Sequence, residues 1–223
     1  MTDTKTEATV NRTRWGRSSF LLLGGLATAG AVAFAATATA GASMFVSTSA
    51  QTELEAYGLR TPQNTALVRG ITTHDFDGNP RTDYVATFSL PKATANSLCV
   101  THKMEMLGNP ITLLLTVGDN DPSTNEIDIN GVNLDVLSAD TKLTLFGSTS
   151  VNQAPSSLPD MSKQGAPTVD PMSDDEVGIF ASGGAGLDKA SAVLLNAEIT
   201  QAQIPTLDAR LIVGDVSCPS ARQ

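Results

Sequence analysis

The sequence predicts an all-β fold: an antiparallel β-sandwich or strongly curved sheet with one long irregular loop, preceded by an N-terminal signal or anchor segment. Three observations carry this expectation. Past the N-terminus, apolar residues recur at every second position, with almost no helical periodicity. Clusters of Gly, Pro, Asn and Asp punctuate these runs at short intervals. Aromatic residues make up only 4% of the 223 residues, so the core must be built from Val, Leu, Ile and Ala.

The N-terminal segment is read first because it stands outside the fold. After Arg12, Arg14 and Arg17 no charged residue appears until Glu53, and the interval opens with Phe20-Leu21-Leu22-Leu23. It passes through Ala31-Val32-Ala33-Phe34 to small-x-small exits ending at Ala38, Ala40 or Ala42. A positive flank, an apolar middle and a small-residue exit describe an export signal. The interval is also long enough for an uncleaved anchor, although Gly24, Gly25, Thr28 and Gly30 dilute it. The domain reading is therefore 1–42 signal peptide or anchor, 43–64 linker, and 65–223 a single β domain. Arg12-Thr13-Arg14 is not a twin-arginine pair, which favours the general secretion route.

The strands follow in order. Tyr84 to Leu90 alternates and stops at Pro91, and Leu98 to Met106 closes on Leu107-Gly108-Asn109-Pro110. Ile111 to Val117 is nearly continuous in apolar residues, as for a strand covered on both faces. In Ile127 to Val136 the apolar positions are 127 and 129, then 132, 134 and 136, a slip at Gly131 that predicts an inserted β-bulge residue. After Ser138-Ala139-Asp140, Thr141 to Phe146 reads as a further strand. From 147 to 187 periodicity collapses among Pro155, Pro159, Pro167 and Pro171, and this stretch is expected to be a loop, lid or interaction segment. Ala190 to Ile199 and Leu207 to Val216 complete the sheet.

Charge excludes some partners. The whole chain carries −9, and removal of the first forty residues leaves 10 basic against 21 acidic residues. Such a surface cannot neutralise a row of phosphates, so nucleic acid is not an expected partner. The only cysteines, Cys99 and Cys218, fall in the exported part and are expected to form a disulfide.

Several segments together resemble a known family. They are the Leu98-Cys99 pair, the turn and strand Leu107 to Leu113, Thr116-Val117-Gly118-Asp119, Val132-Asn133-Leu134-Asp135, Leu137-Ser138-Ala139-Asp140, and a late cysteine. The pattern is similar to a family of exported actinobacterial proteins of unknown function, some of which carry the label cholesterol esterase. The resemblance spans roughly 66 to 218 and brings no catalytic residues with it. Family members are often encoded beside a small multi-spanning membrane protein, which implies an envelope role and such a protein as a partner.

Three chemistries are expected or marked down on the residues. An ester hydrolase needs a nucleophile on a strained turn beside a histidine. No Gly-x-Ser-x-Gly occurs, the histidines are His74 and His102 alone, and Ser182-Gly183-Gly184 is only a loose imitation of a nucleophile loop. Alternation in its strand makes His102 a surface or half-buried residue. A calcium site is drawn by Asp75, Asp77, Asn79 and Asp83 around Gly78, with no other cofactor expected. That stretch also makes a plain acidic hairpin turn, because Pro80 and Arg81 sit badly in a cation loop and the closing glutamate is missing. Asp119-Asn120-Asp121 with Glu126 is a weaker acidic cluster. Finally, a curved sheet with small aliphatic residues inside can hold a lipid. The favoured expectation is an exported, non-enzymatic cell-envelope protein that binds a lipid-like ligand or a membrane-protein partner. The alternatives are a hydrolase of lipid esters and a calcium-stabilised surface or adhesion module.

Overall fold

The computed structural model describes residues 42–44, 52–74, 79–106, 108–119, 121, 124, 126–169 and 176–219. The chain divides into Met1–Phe34 and Ala35–Gln223, and every described residue belongs to the second unit. Its strands are β1 (Ala42–Met44), β2 (Thr52–Thr61), β3 (Asn64–His74), β4 (Pro80–Ala95), β5 (Ser97–Met106), β6 (Asn109–Gly118), β7 (Ile127–Leu145), β8 (Thr149–Gln153), β9 (Val177–Ala181), β10 (Ala185–Gln203) and β11 (Leu207–Val213). All belong to one antiparallel sheet in the order β11-β6-β5-β2-β10-β7-β4-β3-β9-β8, with β1 also on β10. The only helical pieces among the described residues are 3-10 turns at Pro155–Ser157 and Met161–Gln164.

Three local readings change. The stretch taken as linker carries β2, whose Leu54 and Ala56 alternate with Glu53, Glu55 and Tyr57. Ser138-Ala139-Asp140 interrupts nothing, because pairing with β10 carries β7 straight through it. Within 147–187, β8 and β9 pair with each other and β9 adds to β3.

The slip at Gly131 is real, but no residue is inserted. Asn130 and Val132 pair with Lys92 and Leu90 on one side and with Gln201 and Ile199 on the other, so register runs unbroken past the glycine. Both neighbours switch face in the same row. Apolar positions run Phe88, Leu90, then Ala93, Ala95 on β4, and Ala197, Ile199, then Ala202 on β10. The row Pro91–Gly131–Thr200 is thus a crease across three strands. Gly131 adopts φ 73°, where a side chain is strained, and a Cβ there would meet the Gly165 carbonyl oxygen at 2.0 Å. A second crease crosses Asn96–Gly58–Asp188. Here β4 passes into β5, and pairing with β2 keeps one register from Arg60↔Thr94 to Tyr57↔Ser97. Gly58 has φ 63°.

These creases let the sheet close on itself. Arg60 of β2 faces Gly186, near one end of β10, and on its other side faces Thr94 of β4. From Thr94 the ladder continues to Asp128 of β7 and then to Gln203, at the far end of β10. Hydrogen bonding therefore runs β2–β4–β7–β10 and returns to β2 after a displacement spanning nearly the whole of β10. Large stagger goes with strands steeply inclined to the axis of closure. The expected strongly curved sheet takes this form. Its core holds Leu90, Ala93, Ala95, Ile127, Ile129 and Val132, of which Ala93, Ala95 and Ile127 are fully buried.

The expected bond joins Cys99 on β5 to Cys218. The tail after β11 is also sewn to β6: Gly214 N donates to Pro110 O, Thr112 Oγ1 donates to Gly214 O, and Val216 N donates to Thr112 Oγ1. Lys103 bridges Glu53 and Asp215, both at 3.0 Å.

Two predictions follow from these constraints. Gly131→Ala should lose about 2 kcal/mol or more in urea unfolding, since both strain and a backbone clash oppose it. The double change Cys99→Ala, Cys218→Ala releases a loop of separation 119; loss of about 3–5 kcal/mol is expected, and loss below about 1 kcal/mol would refute the chain-entropy account.

Candidate functional site

An apolar concave feature lies inside the closed circuit. Leu54, Ala56 and Leu59 of β2, Phe88 and Leu90 of β4, Leu134 and Val136 of β7, and Ala190, Ala192 and Leu194 of β10 line a groove whose enclosed part is about 120 Å³. The second half of β7 forms its open side, with Ala139, Thr141 and Leu143 on the lining face and Ser138, Asp140 and Lys142 on the other. Two irregularities make this possible: a bulge at Leu137 changes the inward set on β7 from Val136 to Ala139, and the crease at Gly58–Asp188 changes it from Leu54 and Ala56 to Leu59 on β2 and from Leu187 to Ala190 on β10. Without the shift, Tyr57 and Lys189 would point inward. Instead they stand outside, where Lys189 lies 5.5 Å from the Tyr57 ring and Tyr57 donates to Glu55 at 3.0 Å. Arg60 pairs with Asp188 at 2.8 Å on the same outer face.

The groove turns polar at one end, where Thr61 and Asn64 join the lining. Thr61 Oγ1 donates to Gln63 O at 2.7 Å. Asn64 Oδ1 is buried and accepts no hydrogen bond among the described residues. An unsatisfied buried acceptor costs about 1–3 kcal/mol, so a donor delivered there would be stabilising. Apolar walls, one unpaired acceptor and an open side can hold a hydrocarbon chain.

A second cavity, about 290 Å³, lies beneath 155–169 on the opposite face of β3 and β4, floored by Thr65, Thr87 and Ser89. Beside it Asp135 is buried and accepts from Thr87 Oγ1 at 2.5 Å and Arg69 Nη2 at 3.4 Å. Arg69 Nε also donates to Thr87 Oγ1 at 2.9 Å. Asn133 Nδ2 donates to Pro167 O at 2.9 Å, fastening the covering segment to β7. This network joins β3, β4 and β7 through their polar face, and its chemistry is that of a fastening.

The residues singled out for catalysis or metal are not gathered into one site. His102 is half-buried on β5 and shares a 2.8 Å hydrogen bond with Thr52, its register partner on β2. Thr52 is 1% exposed, which leaves its hydroxyl out of a substrate's reach. Ser182 sits in the turn before β10 and donates to Ser148 O at 3.2 Å. The side chain of His74, and all of Asp75 and Asp77, lie outside the described residues. Asn79 is exposed, and Asp83 pairs with Arg81 at 2.8 Å. Asp121 N donates to Asp119 Oδ1, giving a turn. Among the described residues no group of three or more His, Cys, Asp or Glu could hold a metal ion. No helix among them is long and apolar enough to cross a membrane.

The groove residues of β2 were missed because Leu54, Ala56 and Leu59 change phase at Gly58, which hides the strand from a test of strict alternation. Comparison with family models, with curated proteins and with solved structures finds no match to this chain.

Burial pushes the His102 imidazole below its ordinary value of 6.5. The unfolded chain then takes up this proton more readily than the folded one. The stability that depends on a neutral ring is complete above about pH 6.5 and drains away as pH falls toward the lowered value. A plot of urea midpoint against pH should therefore bend downward below 6.5, and His102→Gln should flatten that bend; an identical bend in the variant would assign it to other groups.

Proposed function

We propose that this chain is an exported, non-enzymatic protein of the cell envelope whose groove holds a hydrocarbon chain of a lipid-like ligand. The observation that carries the reading is the aliphatic trough enclosed by β2, β4, β7 and β10 beneath a charged outer face. An apolar cavity of about 150 Å³ stays dry and admits benzene, so an enclosed volume of about 120 Å³ suits a short length of acyl chain. The remainder of the ligand would leave past Ala139 and Leu143. Asn64 at the polar end favours a head group bearing a hydroxyl or amide donor. The signal-like N-terminus and the Cys99–Cys218 bond support an oxidising space outside the cytoplasm as the place of work. The family resemblance supports the envelope.

Native mass spectrometry of the full chain, purified from its own host, should show an adduct of lipid mass, and a fluorescent fatty acid should compete with it. Ala190→Glu places a carboxylate in mid-groove and Ala190→Phe fills it; each should weaken probe binding at least about tenfold while the disulfide still forms. Absence of both adduct and probe binding would sink the reading.

A further inference from the structure

We infer that the second half of β7 is a homodimer interface, at which two copies pair edge to edge in an antiparallel register centred on Thr141. β7 carries an unfilled edge. β4 accompanies β7 only as far as Ala86↔Val136. From Leu137 to Leu145 the side of β7 facing away from β10 pairs with no strand among the described residues. This edge is exposed throughout, including Leu137 at 42% and Leu143 at 49%. Proteins ordinarily blunt such an edge with proline, a bulge or charge. Here β7 bulges once, at Leu137, where its register on β10 shifts between Val136 and Ser138; from Ser138 to Leu145 it has no proline, and its only charges are Asp140 and Lys142, of opposite sign.

The spacing of those charges selects a partner. In an antiparallel pairing of the segment with a second copy of itself about Thr141, Asp140 faces Lys142 of the other copy, and the reverse pair repeats by symmetry. Ala139 then faces Leu143, and Ser138 faces Thr144, with the bulge at Leu137 ending the paired stretch. Every apolar position meets an apolar one, and both charges are matched. A centre at Asp140 sets carboxylate against carboxylate, and a centre at Lys142 sets ammonium against ammonium. A centre between two residues brings apolar positions against polar ones. Like charges directly opposite destabilise a ladder and opposite charges stabilise it, so one register is favoured and its neighbours are opposed. The contact is isologous and closes as a two-fold pair that uses up this edge in both copies. Neither Asp140 nor Lys142 forms an ion pair among the described residues. The inference stands whatever occupies the groove.

The test uses the full chain in sedimentation velocity from low to high micromolar concentration. The wild type should associate reversibly to a dimer. Asp140→Lys turns both cross-strand pairs repulsive and should weaken the dimer at least about tenfold. The swap Asp140→Lys with Lys142→Asp restores both attractions and should recover the dimer to within about threefold. Register is read by cross-linking. Thr141→Cys brings two thiols together on the axis, where opposed Cα atoms are about 4.5–5.5 Å apart and within disulfide reach. Ser138→Cys separates its two thiols by about 20 Å along the ladder. Mild oxidation should give a disulfide-linked dimer from the first and not from the second. A chain that stays monomeric across the range overturns the inference. So does association that Asp140→Lys leaves untouched, or equal cross-linking at both positions.

Discussion

A sheet of long strands with one polar face has to hide its other face, and the described residues include no α-helix to cover it. It covers itself. Each strand of the closing circuit changes its apolar side at least once along its length. The exchange happens in the same row on neighbouring strands, at Pro91–Gly131–Thr200 and again at Asn96–Gly58–Asp188. A face change in one strand alone would set its side chains against the pleat of its neighbours. Made in concert, the change preserves register across β4, β7 and β10 at the first row and between β2 and β10 at the second, where β10 bulges against β7 between Leu187 and Ala190, and it folds the sheet over its own interior. Gly131 and Gly58 supply the positive φ that the turn of the backbone requires.

The groove follows from the same device. Closure brings β2 to β4 at one point only, Arg60↔Thr94, while β7 and β10 run on together past the place where β4 leaves them. The enclosed end is packed solid with Ile127, Ile129 and Val132, and the open end keeps the same aliphatic lining without enough side chain to fill it. Small residues at Ala56, Ala139, Ala190 and Ala192 mark the transition from core to groove. The polar strip behind it, with Asp135 buried among Thr87, Arg69 and Asn196, fixes β3, β4, β7 and β10 side by side, so the lining rests on a stiff floor.

The sequence made the strand content legible because period-two alternation is a local signal. The pairing of Cys99 with Cys218 was legible because no other thiol competes. The slip at Gly131 was visible as a change of phase, but one strand cannot reveal that its neighbours slip with it, so an inserted residue was the natural expectation. β2 was lost for the same reason, its alternation being cut at Gly58 and diluted by Glu53, Glu55 and Tyr57. Residues 138–140 resembled a turn because the strand there is exposed, and exposed strand and turn share a polar composition. The groove could not be read at all, since it depends on bringing residues 54, 90, 134 and 192 to one place from four segments of chain.

The two sulfurs enclose all of β6, β7, β8, β9, β10 and β11. During synthesis Cys99 must therefore wait, unoxidised or wrongly partnered, until six more strands have followed it. β2 waits almost as long, since its neighbour β10 begins at Ala185. Such distant partners make for slow assembly, and of the early strands only β3 with β4 and β5 with β6 find a full partner next in sequence. A nascent chain of this design emerges as a set of unsatisfied ribbons that become a protein only near the end of their own manufacture. It depends on whatever shelters it until then.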